Sequence, residues 1–161
     1  MKVLETPSVR VLYFPGSAGS IAVPFVCRSV GFSEQQSGEK SRYVAKDYWS
    51  LSWVTCGELS LRQEEGVYRL QQGDVALVPP GTQRQFIACS NVVRSRSCSA
   101  YGPLLPHLFE NMGYEAPGIR PPGNCPEQAF LELERLISNV TADGIRRASG
   151  VLFRIFMEAF R

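Results

Sequence analysis

The chain has 161 residues, 44% of them hydrophobic and 20% charged, with 17 Lys+Arg against 15 Asp+Glu for a net charge of +2. That length suits one domain with a core of its own, and the near-balanced charge argues against a surface built to grip nucleic-acid phosphates. The single histidine, His107, excludes multi-histidine metal sites, and no apolar run reaches the roughly 20 residues of a membrane helix.

The first ten residues include Lys2, Glu5 and Arg10 and lack the apolar stretch of a signal peptide. Segments 8–14 and 21–28 are rich in β-branched and aromatic residues, which predicts strands flanking a Pro-Gly-Ser-Ala-Gly-Ser loop at 15–20. Residues 31–40 are polar and Gly/Ser/Gln-rich and read as a loop. Strands are then predicted at 48–55, 58–63, 66–70, 74–78, 84–88 and 92–99, each bounded by Gly, Pro, Asn or polar breaks. Many short strands without intervening helices indicate an antiparallel sandwich or barrel.

A Pro/Gly-rich connector follows at 102–125, with a short helix expected at 104–112, stopped by Gly113. Pro117, Pro121 and Pro122 should keep the rest of it extended. Residues 126–140 carry an apolar stripe (Ala129, Phe130, Leu133, Leu136, Ile137, Val140), with Pro126 expected at the first helical position. After a break at 141–144, Ile145, Ala148, Leu152, Ile155, Phe156 and Ala159 form a second stripe. From Val151 onward nearly every side chain is apolar, which leaves too narrow a polar face for a surface helix. The reading is that a partner covers this end, with Leu152, Ile155, Phe156 and Ala159 at a dimer interface, and that the chain is cut from a longer one. The expected division is a sensor barrel over 1–101, the connector over 102–125 and a helical dimerisation segment over 126–161.

Five widely spaced cysteines (Cys27, Cys56, Cys89, Cys98, Cys125) without a C-x-x-C suit free thiols in a reducing cytoplasm, mostly buried as small hydrophobes.

The most specific stretch runs from Leu51 to Phe86. It reads strand, Gly57 turn, strand, Glu64-Glu65-Gly66 hairpin, strand, Gly73-Asp74 turn, strand, Pro79-Pro80-Gly81, strand. This register resembles a cupin barrel. The second cupin motif has Gly, five residues, Pro-x-Gly, two residues and His; Gly73, Pro79, Gly81 and Arg84 stand in that register, with arginine in the place of histidine. The His-x-His and Glu of the first motif would fall near 43–46 and near Ser50, and none of those ligands is present. More narrowly, the Tyr48–Val54 lead-in, the Gly73-Asp74 and Pro79-Pro80-Gly81 turns and the helical tail resemble the N-terminal sensor domain of AraC-family transcription regulators. The resemblance implies a metal-free cupin with a trailing helix pair that dimerises. It also implies a C-terminal double helix-turn-helix DNA-binding domain that would lie beyond Arg161. Neither a cofactor nor a membrane partner is implied.

Arg84 stays protonated and has no lone pair for a metal, so metal-dependent cupin chemistry is not expected. At a barrel mouth its fork of donors would suit a carboxylate, phosphate or sugar hydroxyls, unless it pairs with Asp74 or Glu58. Phe86 shares its face of the strand. Arg94 and Arg96 share one face, and Ser95, Ser97 and Ser99 share the other with Val93; which of the two looks inward is left open. Trp49 and Trp53 point to one side, either as aromatic walls of a sugar site or as core. The family resemblance implies ligand-contacting roles for Arg28 and Arg96. The expected ligand site is therefore Arg28, Trp53, Arg84, Phe86 and Arg96, binding a small polar effector such as a sugar or sugar derivative. The rival readings are a stand-alone small cupin enzyme with an atypical site and a dimerisation module with an empty barrel. His107 is expected on the surface, and the glycines at 16 and 19 open no helix, so they form no phosphate loop.

Overall fold

The computed structural model describes residues 2–6, 9–14, 23–44 and 47–161, with backbone only for 2–6 and 43–44. The loop expected at 15–20 and the first two residues of the segment 21–28 lie outside the described residues. Along the chain come β1 (Lys2–Thr6), β2 (Val9–Tyr13), β3 (Val26–Gln36), β4 (Lys40–Val44), β5 (Trp49–Cys56), β6 (Glu58–Gln63), β7 (Gly66–Gln71), β8 (Val75–Val78), β9 (Gln83–Ala88) and β10 (Val92–Tyr101). They are followed by α1 (Leu105–Asn111), β11 (Ile119–Arg120), α2 (Glu127–Ser138) and α3 (Ala142–Ala159). The strands form two antiparallel sheets, ordered β1-β2-β3-β10-β5-β8-β11 and β4-β9-β6-β7.

Strand periodicity divides the larger sheet into two chemistries. Side chains alternate between faces, so residues in register form rows across neighbouring strands. One row runs Leu12, Val30, Cys98, Leu51, Leu77, and all five side chains are buried. This face packs against the helices in a core that also holds Trp49, Trp53, Phe109, Phe130, Leu133, Leu152 and Ile155. An aromatic group ties the layers together. Trp49 packs on Phe109 (ring centroids 4.7 Å apart) and Tyr114 (5.3 Å), and Phe109 on Phe156 (4.9 Å). The opposite face of the larger sheet looks at the smaller one. There a second core forms from Val54, Leu59, Leu61, Leu70, Ala76, Phe86, Ala88 and Val93.

Three local expectations are corrected. Residues 31–36 extend β3 rather than opening a loop, because pairing with β10 continues to Gln36 opposite Val92 and the polar side chains are met by the cavity and by Arg94. Pro126 stands before α2 as its N-cap residue rather than inside it. The break between the helices is shorter than 141–144. Thr141 caps α3, its hydroxyl accepting the Gly144 N–H at 2.9 Å, and the helix begins at Ala142.

The motif glycines answer to geometry. Gly57 has φ +79°, and a Cβ there would lie 2.4 Å from the Val92 carbonyl oxygen. Gly73 has φ +96°; its carbonyl accepts the Gly123 N–H at 3.0 Å, so the turn also seats the connector. Gly57→Ala therefore combines left-handed strain with a backbone clash and should cost about 2–4 kcal/mol, a fall in Tm of roughly 5–15 °C. Gly38 has a similar φ of +83°, but a Cβ there would meet nothing within 4 Å, so Gly38→Ala should cost only about 1 kcal/mol. Calorimetry on the two variants checks this, and equal losses would refute the steric part.

Candidate functional site

Between the sheets lies a cavity of about 450 Å³, inside the range of roughly 300–1,000 Å³ usual for small-molecule sites. Leu59 and Phe86 belong both to its wall and to the inner core. Its floor is the inner face of β2, β3, β10 and β5. The rows there are Tyr13, Ser29, Ser99, Ser50; then Val11, Gly31, Ser97, Ser52; then Val9, Ser33, Ser95. Seven serines thus stand on three adjacent strands, all lining the cavity, and Ser41 of β4 joins them from the other sheet. Sheet geometry spaces such hydroxyls about 5 Å apart across strands and about 7 Å along them. Ser29 and Ser99 are hydrogen-bonded through their hydroxyls, as are Ser33 and Ser95 at 2.8 Å. Each hydroxyl offers one donor and two acceptor positions, so one such bond leaves capacity for a ligand.

Two arginines line the same space. Arg84 on β9 is only 5% exposed, and its Nη2 donates to Ser50 Oγ at 2.8 Å. The acids considered as its partners are engaged elsewhere: Glu58 bridges Arg69, and Asp74 accepts the Gln71 N–H at 2.7 Å. Arg28 on β3 lies with its guanidinium carbon 4.0 Å from the Tyr48 ring centre and 5.4 Å from that of Tyr13. Aromatic rings against a guanidinium fix its plane and leave its edge to donate. Lys40, Glu34 and Glu39 also line the cavity. Glu34 bridges Arg94 at 2.8 Å, and Glu39 accepts the Gln36 N–H at 2.9 Å.

Of the five expected ligand residues, Arg28, Arg84 and Phe86 line the cavity, while Trp53 and Arg96 do not. Trp53 is corrected to the outer core: it lies on the face of β5 opposite Ser52, is 1% exposed, and its indole N–H points to the Gly123 carbonyl at 3.4 Å. Arg96 lies on the face of β10 opposite Ser95 and Ser97 and reaches α2 instead. Its Nε donates to both carboxylate oxygens of Glu127 (3.0 and 3.1 Å), its Nη2 also contacts Glu127, and its Nη1 donates to Glu134 at 2.8 Å. Burial opposes the charge on Arg96, but hydrogen bonding and attraction from Glu127 and Glu134 outweigh it and hold the guanidinium above its ordinary pKa. Burial first, then Glu127, pushes the neighbouring Cys125 thiol up to about 12, against the pull of Arg96.

The expected dimer contacts are corrected too. Leu152, Ile155, Phe156 and Ala159 are buried within this chain against α1, α2 and the sheet, so they are not the surface a second copy could touch. The large apolar side chains that the helix pair exposes are Leu131, Phe153 and Met157. His107 is exposed on α1 beside Glu110. Cys27 and Cys98 are buried, their thiols pushed well up by burial, and Cys89 is exposed. The serine floor is what the sequence reading did not assign. Its signal is the period-two repeat of Ser50, Ser52 and of Ser95, Ser97, Ser99, which only strand pairing joins to Ser29 and Ser33.

Among the described residues no group of three His, Cys, Asp or Glu side chains gathers to hold a metal, and no helix is long and apolar enough to cross a membrane. Two antiparallel sheets around a polar cavity, flanked by C-terminal helices, form the barrel-and-helix architecture that the sequence register predicts. Within it, residues 27–149 match the AraC-like ligand binding domain, and the chain belongs to that family. Similar folds include the cupin domain of Schizosaccharomyces pombe Cnp3 (TM-score 0.48, 12% identity, 73% of this chain and 79% of that one). A cupin 2 conserved barrel domain protein from Salinispora arenicola CNS-205 gives TM-score 0.46 at 14% identity, over 68% of this chain and 89% of that one. A predicted oxalate decarboxylase from Thermotoga maritima gives 0.47 at 9% identity, over 58% and 80%. No curated protein matches the sequence.

Removing Arg96 should loosen the helix layer. Arg96→Gln leaves Glu134, whose side chain is 11% exposed, without its counter-charge, an expected loss of about 2–3 kcal/mol in urea unfolding. Arg94→Gln breaks an exposed pair and should leave the midpoint nearly unchanged. Equal effects from the two variants would show that the Arg96 bridge does not anchor α2.

Proposed function

We propose that this domain senses a small polar effector, a sugar or sugar derivative, and reports it to a transcription regulator of the AraC type. The observation that carries the reading is the serine floor: hydroxyls in register on three strands, flanked by Arg28 and Arg84 and closed by Phe86, suit a polyhydroxylated molecule better than an apolar one. In this reading the protein is a cytoplasmic binding module rather than an enzyme. Residues 1–101 form the sensor, 102–125 connect, and 126–161 form a dimerisation segment, with a helix-turn-helix domain following Arg161. The homodimer would form through the outward side of the helix pair at Leu131, Phe153 and Met157. A ligand shifts the regulator only by its differential affinity for two arrangements, commonly about 1–3 kcal/mol.

A thermal-shift screen of sugars and their derivatives tests the sensor. A binder at about 100 times its Kd adds about 2.7 kcal/mol, which for a domain of this size is a rise in Tm of roughly 5–10 °C. Ser97→Phe, which fills the centre of the floor, should abolish the shift while the protein stays folded. If no polar compound stabilises the wild type, the reading fails. For the dimer, sedimentation of the purified chain should show a dimer that Phe153→Glu converts to monomer; a monomeric wild type at tens of micromolar concentration would exclude this interface.

A further inference from the structure

We infer that the cavity selects an organic acid: a polyhydroxylated carboxylate of the aldonic or uronic type, its carboxylate held by Arg28 and its hydroxyls by the serine floor, at whose far end Arg84 stands. This rests on the sensor reading and narrows it. Any occupant must first displace water. It removes water from the edge of the half-buried Arg28 guanidinium. A neutral hydroxyl offers it only a weak acceptor in return, whereas a carboxylate brings charge-assisted, forked bonds that offset the lost hydration. The balance of charge in the wall points the same way. Arg28, Arg84 and Lys40 line the cavity on the cationic side. On the anionic side, Glu34 bridges Arg94, and the exposed Glu39 is offset by the equally exposed Lys40.

Arg28 is set up for an anion. Its plane is set by Tyr48 and Tyr13, and no carboxylate pairs with it among the described residues. Such an arginine is pre-organised, so little rotamer freedom is lost when an anion docks. Arg84 is linked to the floor directly. It donates to Ser50, which faces Ser99 across the β5–β10 ladder, and Ser99 bonds Ser29, the residue after Arg28. The two arginines are thus the ends of one row of polar groups that crosses three strands.

Matched pairs of compounds test this by titration calorimetry on the wild-type chain: glucose, gluconate and glucuronate, then galactose, galactonate and galacturonate, with glucose 6-phosphate as a further arm. At least one acid should bind roughly 10- to 100-fold more tightly than its neutral parent. Added NaCl should weaken the acid and leave the neutral sugar unaffected. Arg28→Gln should remove most of that preference, whereas Arg28→Lys, which keeps the charge, should retain part of it. If a neutral sugar binds as tightly as its acid, this inference is overturned while the sensor reading stands. Tighter binding of the phosphate ester than of any acid overturns the assignment to a carboxylate. If no compound in the set binds, the inference falls, and the wider thermal-shift screen decides the sensor reading by itself.

Discussion

Everything in this molecule depends on one sheet having two buried faces of opposite polarity. Along β2, β3, β10, β5 and β8 the outward residues are mostly apolar, and the inward ones that line the cavity are mostly small or hydroxylated. An ordinary sandwich puts its apolar faces together and wets the outer ones. Here the outer face of the larger sheet would be an exposed apolar patch without α1, α2 and α3, so the helices are part of the barrel's core rather than an appendix to it. The inner face is then free to be polar, because the inner core of Val54, Leu61, Leu70 and their neighbours already joins the two sheets. A one-residue slip of any of these strands would exchange the two chemistries, so the cavity and the helix seat are specified together.

The same constraint puts β10 at the centre of any communication. Its alternate residues face the ligand space (Ser95, Ser97, Ser99) and the helix layer (Arg96, Cys98, Ala100). Arg96 lies over the Phe32 ring, 5.3 Å from its centre, and Phe32 in turn borders the cavity. From there the guanidinium grips the first turn of α2 through Glu127 and its middle through Glu134. A charged pair in this position adds little net stability over an apolar contact, since desolvation offsets most of the attraction. What it does add is direction: it fixes where α2 sits along β10, which packing of Leu133 and Ile137 alone would leave free to slide.

How much of this the sequence carries can be argued residue by residue. The strand pattern and the Gly73-Asp74 and Pro79-Pro80-Gly81 turns are local signals, set by backbone conformations that few residues tolerate, and they pointed to the fold. Which face of a strand looks inward is not local. Trp53 suits a cavity because aromatic rings stack on sugars, and the family resemblance implies a ligand role for Arg96, yet their parity puts both under the helices. Segment 31–36 looked like a loop because a strand lining a polar cavity has the composition of one. The apolar end of α3 looked like an interface with another molecule. The burial partners of Phe156, Phe109 and Phe25, are far away in sequence, and only the folded chain brings them together, with Trp49 packed behind Phe109.

Arg84 ties these threads to chemistry. It stands at the position where the second cupin motif has histidine, and it is buried at the end of the serine row rather than turned out to solvent. An imidazole there can share a metal with other ligands, while a guanidinium can only donate. With arginine in that register, the proposed site would meet electron-rich oxygens with donors directly, where histidine would meet them through an ion. The hydroxyl rows on β3, β10 and β5 extend that donor surface, with the flexibility of serine rotors to meet either donors or acceptors. The fold is retained because the motif's glycines and prolines shape the turns, and the histidine position contributes only a side chain pointing inward. That separation of scaffold from site means the same turns can carry either side chain, and with it either chemistry.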